Sequence, residues 1–176
     1  MSYSSQYKSL VQSVEKYSRF LDGINDEDFL ISPKEGIWSY SEVFSHVFQV
    51  NLASSIAVEK CIYGTGQINS DRIYWLAGLI LLLGRFPPVK IKAPADIAAM
   101  VKKISKEEAK VLISKLNTRL QVIAPQIKNA SFNQKVKHPR LGLLNAAQWF
   151  RFIEVHTLHH ERQLTRITKM LRPATK

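Results

Sequence analysis

The stretch EVHTLHHERQL, residues 154–164, carries three of the chain's five histidines. Written on a helix, His156 and His160 are four residues apart and stand one turn above the other on a single face. That face is also marked by Trp149, Ile153, Leu164, Ile167 and Leu171. A second stripe, Val43, His46, Val50, Ala53 and Ala57, puts another histidine on an inward phase. Each buried imidazole brings one donor and one acceptor that need partners in a dry interior. One divalent ion would satisfy all three rings together. An i, i+4 pair offers two nitrogens to one point, and an antiparallel helix can add the third, at about 2.0–2.1 Å for zinc. Three neutral nitrogen ligands leave coordination positions open for water or substrate, as catalytic rather than structural sites do. Hydrogen-bonded core histidines are the alternative. For the HxxxH pair alone the two readings weigh equally, and His46 shifts the balance toward metal.

The residues around this group divide by phase. His159 is one position off the stripe and reads as a rim or supporting residue, with an i, i+3 pairing to His156 as the alternative. Gln163 can orient the His160 ring or a bound molecule, or simply face solvent. Glu42, one turn before His46, is first a helix-capping partner and second a support for His46. His138, in KHPRLG, is expected to be a solvated loop residue that could border a pocket. Cys61 reads as core rather than nucleophile. There is no Ser-His-Asp pattern, phosphate loop or Rossmann glycine fingerprint, and no residue is assigned a catalytic role.

Helices must position these side chains. Tyr7, Leu10, Val14, Tyr17 and Leu21 follow three- and four-residue steps and predict a helix from Tyr3 to Leu21, ended by Asp22-Gly23. A polar loop, NDEDFLISPKEGIW, leads to Ser39-x-x-Glu42, a capping box opening a helix to about Tyr63-Gly64. The apolar run Ile73 to Gly84 (IYWLAGLILLLG) predicts a short, fully buried core helix over residues 71–85, halted by Pro87-Pro88. VKIKAPADIAAMVKKI is expected to contain a turn of helix. Ser105-x-x-Glu108 opens a helix to about Lys128, with Pro125 kinking its last turn, and Asn145-x-x-Gln148 opens another from Ala146 to about Leu171. GTGQINSD and NASFNQKVKHPRLGLL read as connectors without strand alternation. The expected fold is all-α, an up-and-down four-helix bundle with an additional short helix, forming one domain over residues 1–176.

The chain has 176 residues, 45% hydrophobic and 22% charged, enough for a real core in one globular domain. A single cysteine excludes an intrachain disulfide, and the start lacks a basic-then-apolar signal segment, so a cytoplasmic location is expected. The 12-residue apolar run is short of the roughly 20 residues a bilayer-spanning helix needs, and no membrane association is expected. Residues 1–88 carry seven basic and nine acidic residues, net −2; residues 89–176 carry 18 and five, net +13. The basic half fits a solvated surface, or attraction for an anionic substrate. With no zinc-finger spacing, RNP-like strand motif or dense basic block with aromatics, no nucleic-acid partner is expected.

GIWSYSEVFSHVFQVN resembles the Trp-Ser-x-x-Glu-x-x-x-His helix start of the DinB/YfiT-like superfamily of metal-dependent bundle proteins. HPRLGLLNAAQWFRFIEVHTLHHERQL is similar to that superfamily's final His-x-x-x-His-x-x-Gln helix, and the 110-residue interval from His46 to His156 suits its layout. The resemblance implies a four-helix bundle, often dimeric, with His46, His156 and His160 holding zinc, nickel or a similar divalent ion. It further implies chemistry of the kind known in the family, such as S-transfer with low-molecular-weight thiols or mycothiol-dependent isomerisation. The expected function is therefore a metal-dependent enzyme acting on a small molecule, a thiol-dependent S-transferase first and a metal-dependent hydrolase second. A non-catalytic metal-binding or stress-response bundle is the alternative outside enzymology.

Overall fold

The structure, a computed structural model, describes residues 3–87 and 101–172. Four long helices run through it: α1 (Tyr3–Asp22), α3 (Tyr40–Ile62), α5 (Lys106–Ile123) and α6 (Ala146–Leu171). A short α2 (Asp26–Leu30) lies in the first loop, and α4 (Trp75–Leu83) follows α3. α3 packs against α6 and α5, and α1 closes the other side against the same two helices. Leu10, Val14, Tyr17 and Leu21 of α1 are all buried, as the spacing requires. The Tyr17 ring meets Phe44 and Phe48 edge-on at 5.3 and 5.4 Å, which carries the core from α1 across to α3.

All three expected capping boxes form. Ser39, Ser105 and Asn145 each accept from the backbone N–H three residues on, while Glu42, Glu108 and Gln148 reach back to the cap N–H. Two orphan donors are thereby satisfied at each helix start. Where Pro125 follows α5, the chain tightens into a 3₁₀ turn over Ala124–Asn129.

Four expectations need correction. The apolar run is not a fully buried helix: in α4 only Ala77, Ile80 and Leu81 are buried, while Trp75 and Leu82 are 79% and 78% exposed. A nine-residue helix laid on α6 from outside the bundle can bury only one face, and an all-apolar sequence does not mark which. Arg151 of α6 fixes it there by donating from Nε to the Leu81 carbonyl at 2.8 Å. Ala53, expected on the inward stripe of α3, is exposed.

The connectors also hold a small antiparallel sheet, β1 (Gln67–Ile68), β2 (Gln134–His138) and β3 (Gly142–Asn145), in that order, with Lys135 opposite both Gln67 and Asn145. Its strands carry no apolar alternation because the fully buried side chain of β2 is Lys135, whose ammonium donates to the Asp71 carbonyl. Gly142 has φ +79° and the Tyr74 ring stands where a side chain would go, so glycine is required at that turn. NDEDFLISPKEGIW likewise contains α2, capped by Asn25, rather than loop alone. The helical turn expected in VKIKAPADIAAMVKKI falls largely on residues outside the described ones.

Candidate metal centre

His46 is the seventh residue of α3, and His156 and His160 lie midway along α6. Because α3 and α6 pack closely side by side, their inward stripes bring the three rings together. All three are buried. Each offers one nitrogen, and these nitrogens lie within 4.8 Å of one another, the one such group of three potential ligands among the described residues. His46 Nε2 and His156 Nε2 are 3.2 Å apart. Two nitrogens on adjacent corners of a zinc-sized tetrahedron would be about 3.3 Å apart. The ring centroids are 4.6 to 5.1 Å apart, all edge-to-face.

Burial keeps these rings neutral. Desolvation, reinforced by His159, lowers His46 to about 4, and desolvation with His46 and His159 nearby lowers His160 to about 3. His156 is lowered well below the usual imidazole range, by burial first and then by His160 and His46. Neutral imidazole is the ligand form, so binding an ion requires no net loss of a proton from the three rings, only that each turns a lone pair to the ion. His46 Nδ1 is buried and without a hydrogen-bond partner among the described residues. Three neutral nitrogens converging on one point, one ring not otherwise satisfied, and no carboxylate in the group fit a divalent ion of the zinc or nickel type.

Among the surrounding residues, His138 is the one that departs from its expected place. Gln163 Oε1 lies 2.6 Å from His160 Nδ1 and orients that ring. Glu42 does not support His46: its carboxylate accepts from Ser39 N, at 2.8 Å, and Ser39 Oγ, at 2.7 Å. His159 is outside the group; its ring stands edge-on to Phe86 at 5.1 Å and to the His160 ring at 4.9 Å. His138 is no solvated loop residue. It ends β2, packs on Phe152 and Trp149, and accepts through Nδ1 from the backbone N–H of Arg140 and Leu141. Desolvation, with Arg140 nearby, lowers it to about 4. Cys61 is buried, and burial pushes its thiol up to about 11, away from nucleophilic use.

Sequence reasoning missed Asn51. It is a fully buried amide on α3 whose Oδ1 lies 2.9 Å from His156 Nδ1. A polar residue five places after His46, amid the apolar positions of α3, was the available signal. Trp38 was also missed; its ring stands 5.1 Å from that of His46. Trp38 and Glu42 line a cavity of about 460 Å³ together with Ser32, Lys34, Glu35, Gly36 and Ile37. A buried carboxylate, Glu154, exists on α6, but it lies two residues before His156, about 200° around the helix, and is paired with Arg151.

The fold is shared with solved structures. The four-helix bundle protein TT2238 superposes with a TM-score of 0.61 over 94% of this chain and 99% of its own, at 18% identity. YfiT from Bacillus subtilis, a probable metal-dependent hydrolase with an unusual four-helix bundle topology, gives 0.60 over 97% and 90%, at 13% identity. The mycothiol-dependent maleylpyruvate isomerase gives 0.55 at 17% identity over 90% of this chain, which spans 60% of the isomerase. No curated protein sequence matches the chain. The family model described as the DinB superfamily matches residues 9–164. With that match over most of its length, and with the four-helix bundle seen here, the chain belongs to the DinB superfamily.

Proposed function

We propose that the protein is a divalent-metal-dependent enzyme in which His46, His156 and His160 hold the ion, and that it transfers a low-molecular-weight thiol to an electrophile. The observation that carries the reading is the convergence of three buried, neutral imidazoles from two helices within 4.8 Å. A bound ion would supply Lewis acidity, lowering the pKa of a small thiol or of water at the open positions. The chain's own residues supply the rest. Gln163 holds the His160 ring. The cavity beside Trp38 has Ser32, Lys34 and Glu35 on its walls, and none of the three histidines lines it.

Thiol transfer is favoured over hydrolysis by the fate of the carboxylates. A hydrolase calls for a general base near the ion, but Glu42 is engaged by Ser39 and Glu154 by Arg151. A thiol bound to an ion would release its proton to solvent at its lowered pKa, without a positioned general base. The fold shared with the mycothiol-dependent isomerase supports the thiol reading, and the fold shared with YfiT supports hydrolysis as the second reading.

Elemental analysis of untagged protein, joined to a screen of small thiols with a generic electrophile, tests both parts. The expected result is a divalent ion and thiol conjugation that chelation abolishes. Metal-dependent ester or amide cleavage without thiol turnover would transfer the assignment to the hydrolase reading.

A further inference from the structure

α3 and α6 also meet through a short polar chain enclosed by the core. Asn51 and Thr157 are both fully buried. Asn51 Oδ1 lies 2.9 Å from His156 Nδ1, Asn51 Nδ2 lies 2.8 Å from Thr157 Oγ1, and Thr157 Oγ1 lies 2.7 Å from the Ile153 carbonyl. Tyr17 braces the same turn from α1 by donating its hydroxyl to the Thr157 carbonyl at 3.1 Å.

Counting hydrogens orders this chain. A hydroxyl has one hydrogen. Once Thr157 gives it to the Ile153 carbonyl, only lone pairs face Asn51, so the amide turns its NH₂ to Thr157 and its oxygen to His156. That oxygen can only accept, so His156 Nδ1 carries the proton and Nε2 is left with its lone pair. The other side of the ring agrees. His46 Nε2 then donates to His156 Nε2 across 3.2 Å, which leaves the buried His46 Nδ1 as a bare lone pair. The opposite order would bury an N–H at His46 Nδ1 with no acceptor, and orphaned donors are rarer than under-satisfied acceptors.

We propose that Asn51 and Thr157 are positioning residues that lock His156 in the Nδ1–H tautomer, so that its Nε2 lone pair faces His46 and His160 before any ion arrives. The lock rests on the metal reading for its purpose but not for its geometry. Partners behind a ligating ring fix its tautomer and orientation, and losing one typically costs about 10- to 100-fold in metal affinity.

The test uses the full-length protein, stripped of metal and labelled with ¹⁵N in its histidines. Long-range ¹H–¹⁵N NMR at neutral pH reads which nitrogen of His156 is protonated, with the resonances assigned by their loss in His156→Ala. The expected parent spectrum shows a protonated Nδ1 and a bare Nε2. Thr157→Val, nearly the same shape, removes the acceptor that turns the amide; it is expected to give mixed tautomers and about 10- to 100-fold weaker zinc binding with unchanged helical circular dichroism. Asn51→Asp keeps an acceptor against His156 and is expected to keep the Nδ1–H form. A parent His156 protonated on Nε2 would overturn the proposal, as would unchanged tautomer and zinc affinity in Thr157→Val. A parent with the Nδ1–H form and no zinc binding would uphold the lock while removing the metal reading.

Discussion

One step along a helix separates His159 from His160 and turns the side chain by about 100°. That rotation puts His160 against His46 and His156, and His159 against Phe86. His160→Ala is therefore expected to lose metal and metal-dependent turnover while keeping its helical content, whereas His159→Ala keeps most of both; metal content and activity per folded protein measure this. Retention of metal by the His160 variant and its loss from the His159 variant would reassign the pair to His156 and His159. The same burial makes the metal-free protein sensitive to acid. Unfolded imidazoles bind protons below about 6.5, but in the fold His46 and His160 do so only near 4 and 3 because burial disfavours the charged form. Between those limits the unfolded state binds more protons, so stability is highest above about 6.5 and falls as pH drops. Urea midpoints of metal-free protein should fall from neutral pH to pH 5, and an unchanged midpoint would contradict neutral burial of the rings.

Among the elements, α6 and α4 show what patterning conveys. The start of α6 is written locally: Asn145 and Gln148 close on each other within one turn. Asn145→Ala should cost about 1 kcal/mol, yet leave metal affinity unchanged because the ligands lie several turns further in; chemical denaturation and zinc titration check the two halves. The residues of α4 carry no such instruction. With apolar side chains all round, its inner face is decided by the Arg151 contact to Leu81 and by the surface of α6, both distant in sequence. Leu81→Ala should therefore destabilise by about 2 kcal/mol or more, and Leu82→Ala by less than about 0.5 kcal/mol. Equal effects would mean that α4 is buried on both faces. The β2–β3 hairpin was hidden for a related reason, since a lysine occupies the inward place where an apolar residue would have marked a strand.

For the molecule as a whole, the four long helices, their order and the three capping boxes were legible because they depend on contacts three or four residues apart. The three histidines were legible because their phases coincide with the apolar stripes of α3 and α6. Asn51 and Trp38 were not, because each meets its histidine through tertiary packing that periodicity does not encode. The core runs from Leu10 on α1 through Phe44 and Phe48 to Phe150 and Ile167 on α6, and it does not depend on the site. Helical circular dichroism should accordingly survive chelation, unlike that of a zinc finger; its loss would show that the ion organises the bundle. The most direct test of the site itself is the metal content of untagged parent protein beside a variant with His46, His156 and His160 all replaced by Ala. The parent is expected to hold close to one divalent ion per chain and the folded triple variant none, whereas equal metal in the two proteins would contradict the three-histidine centre.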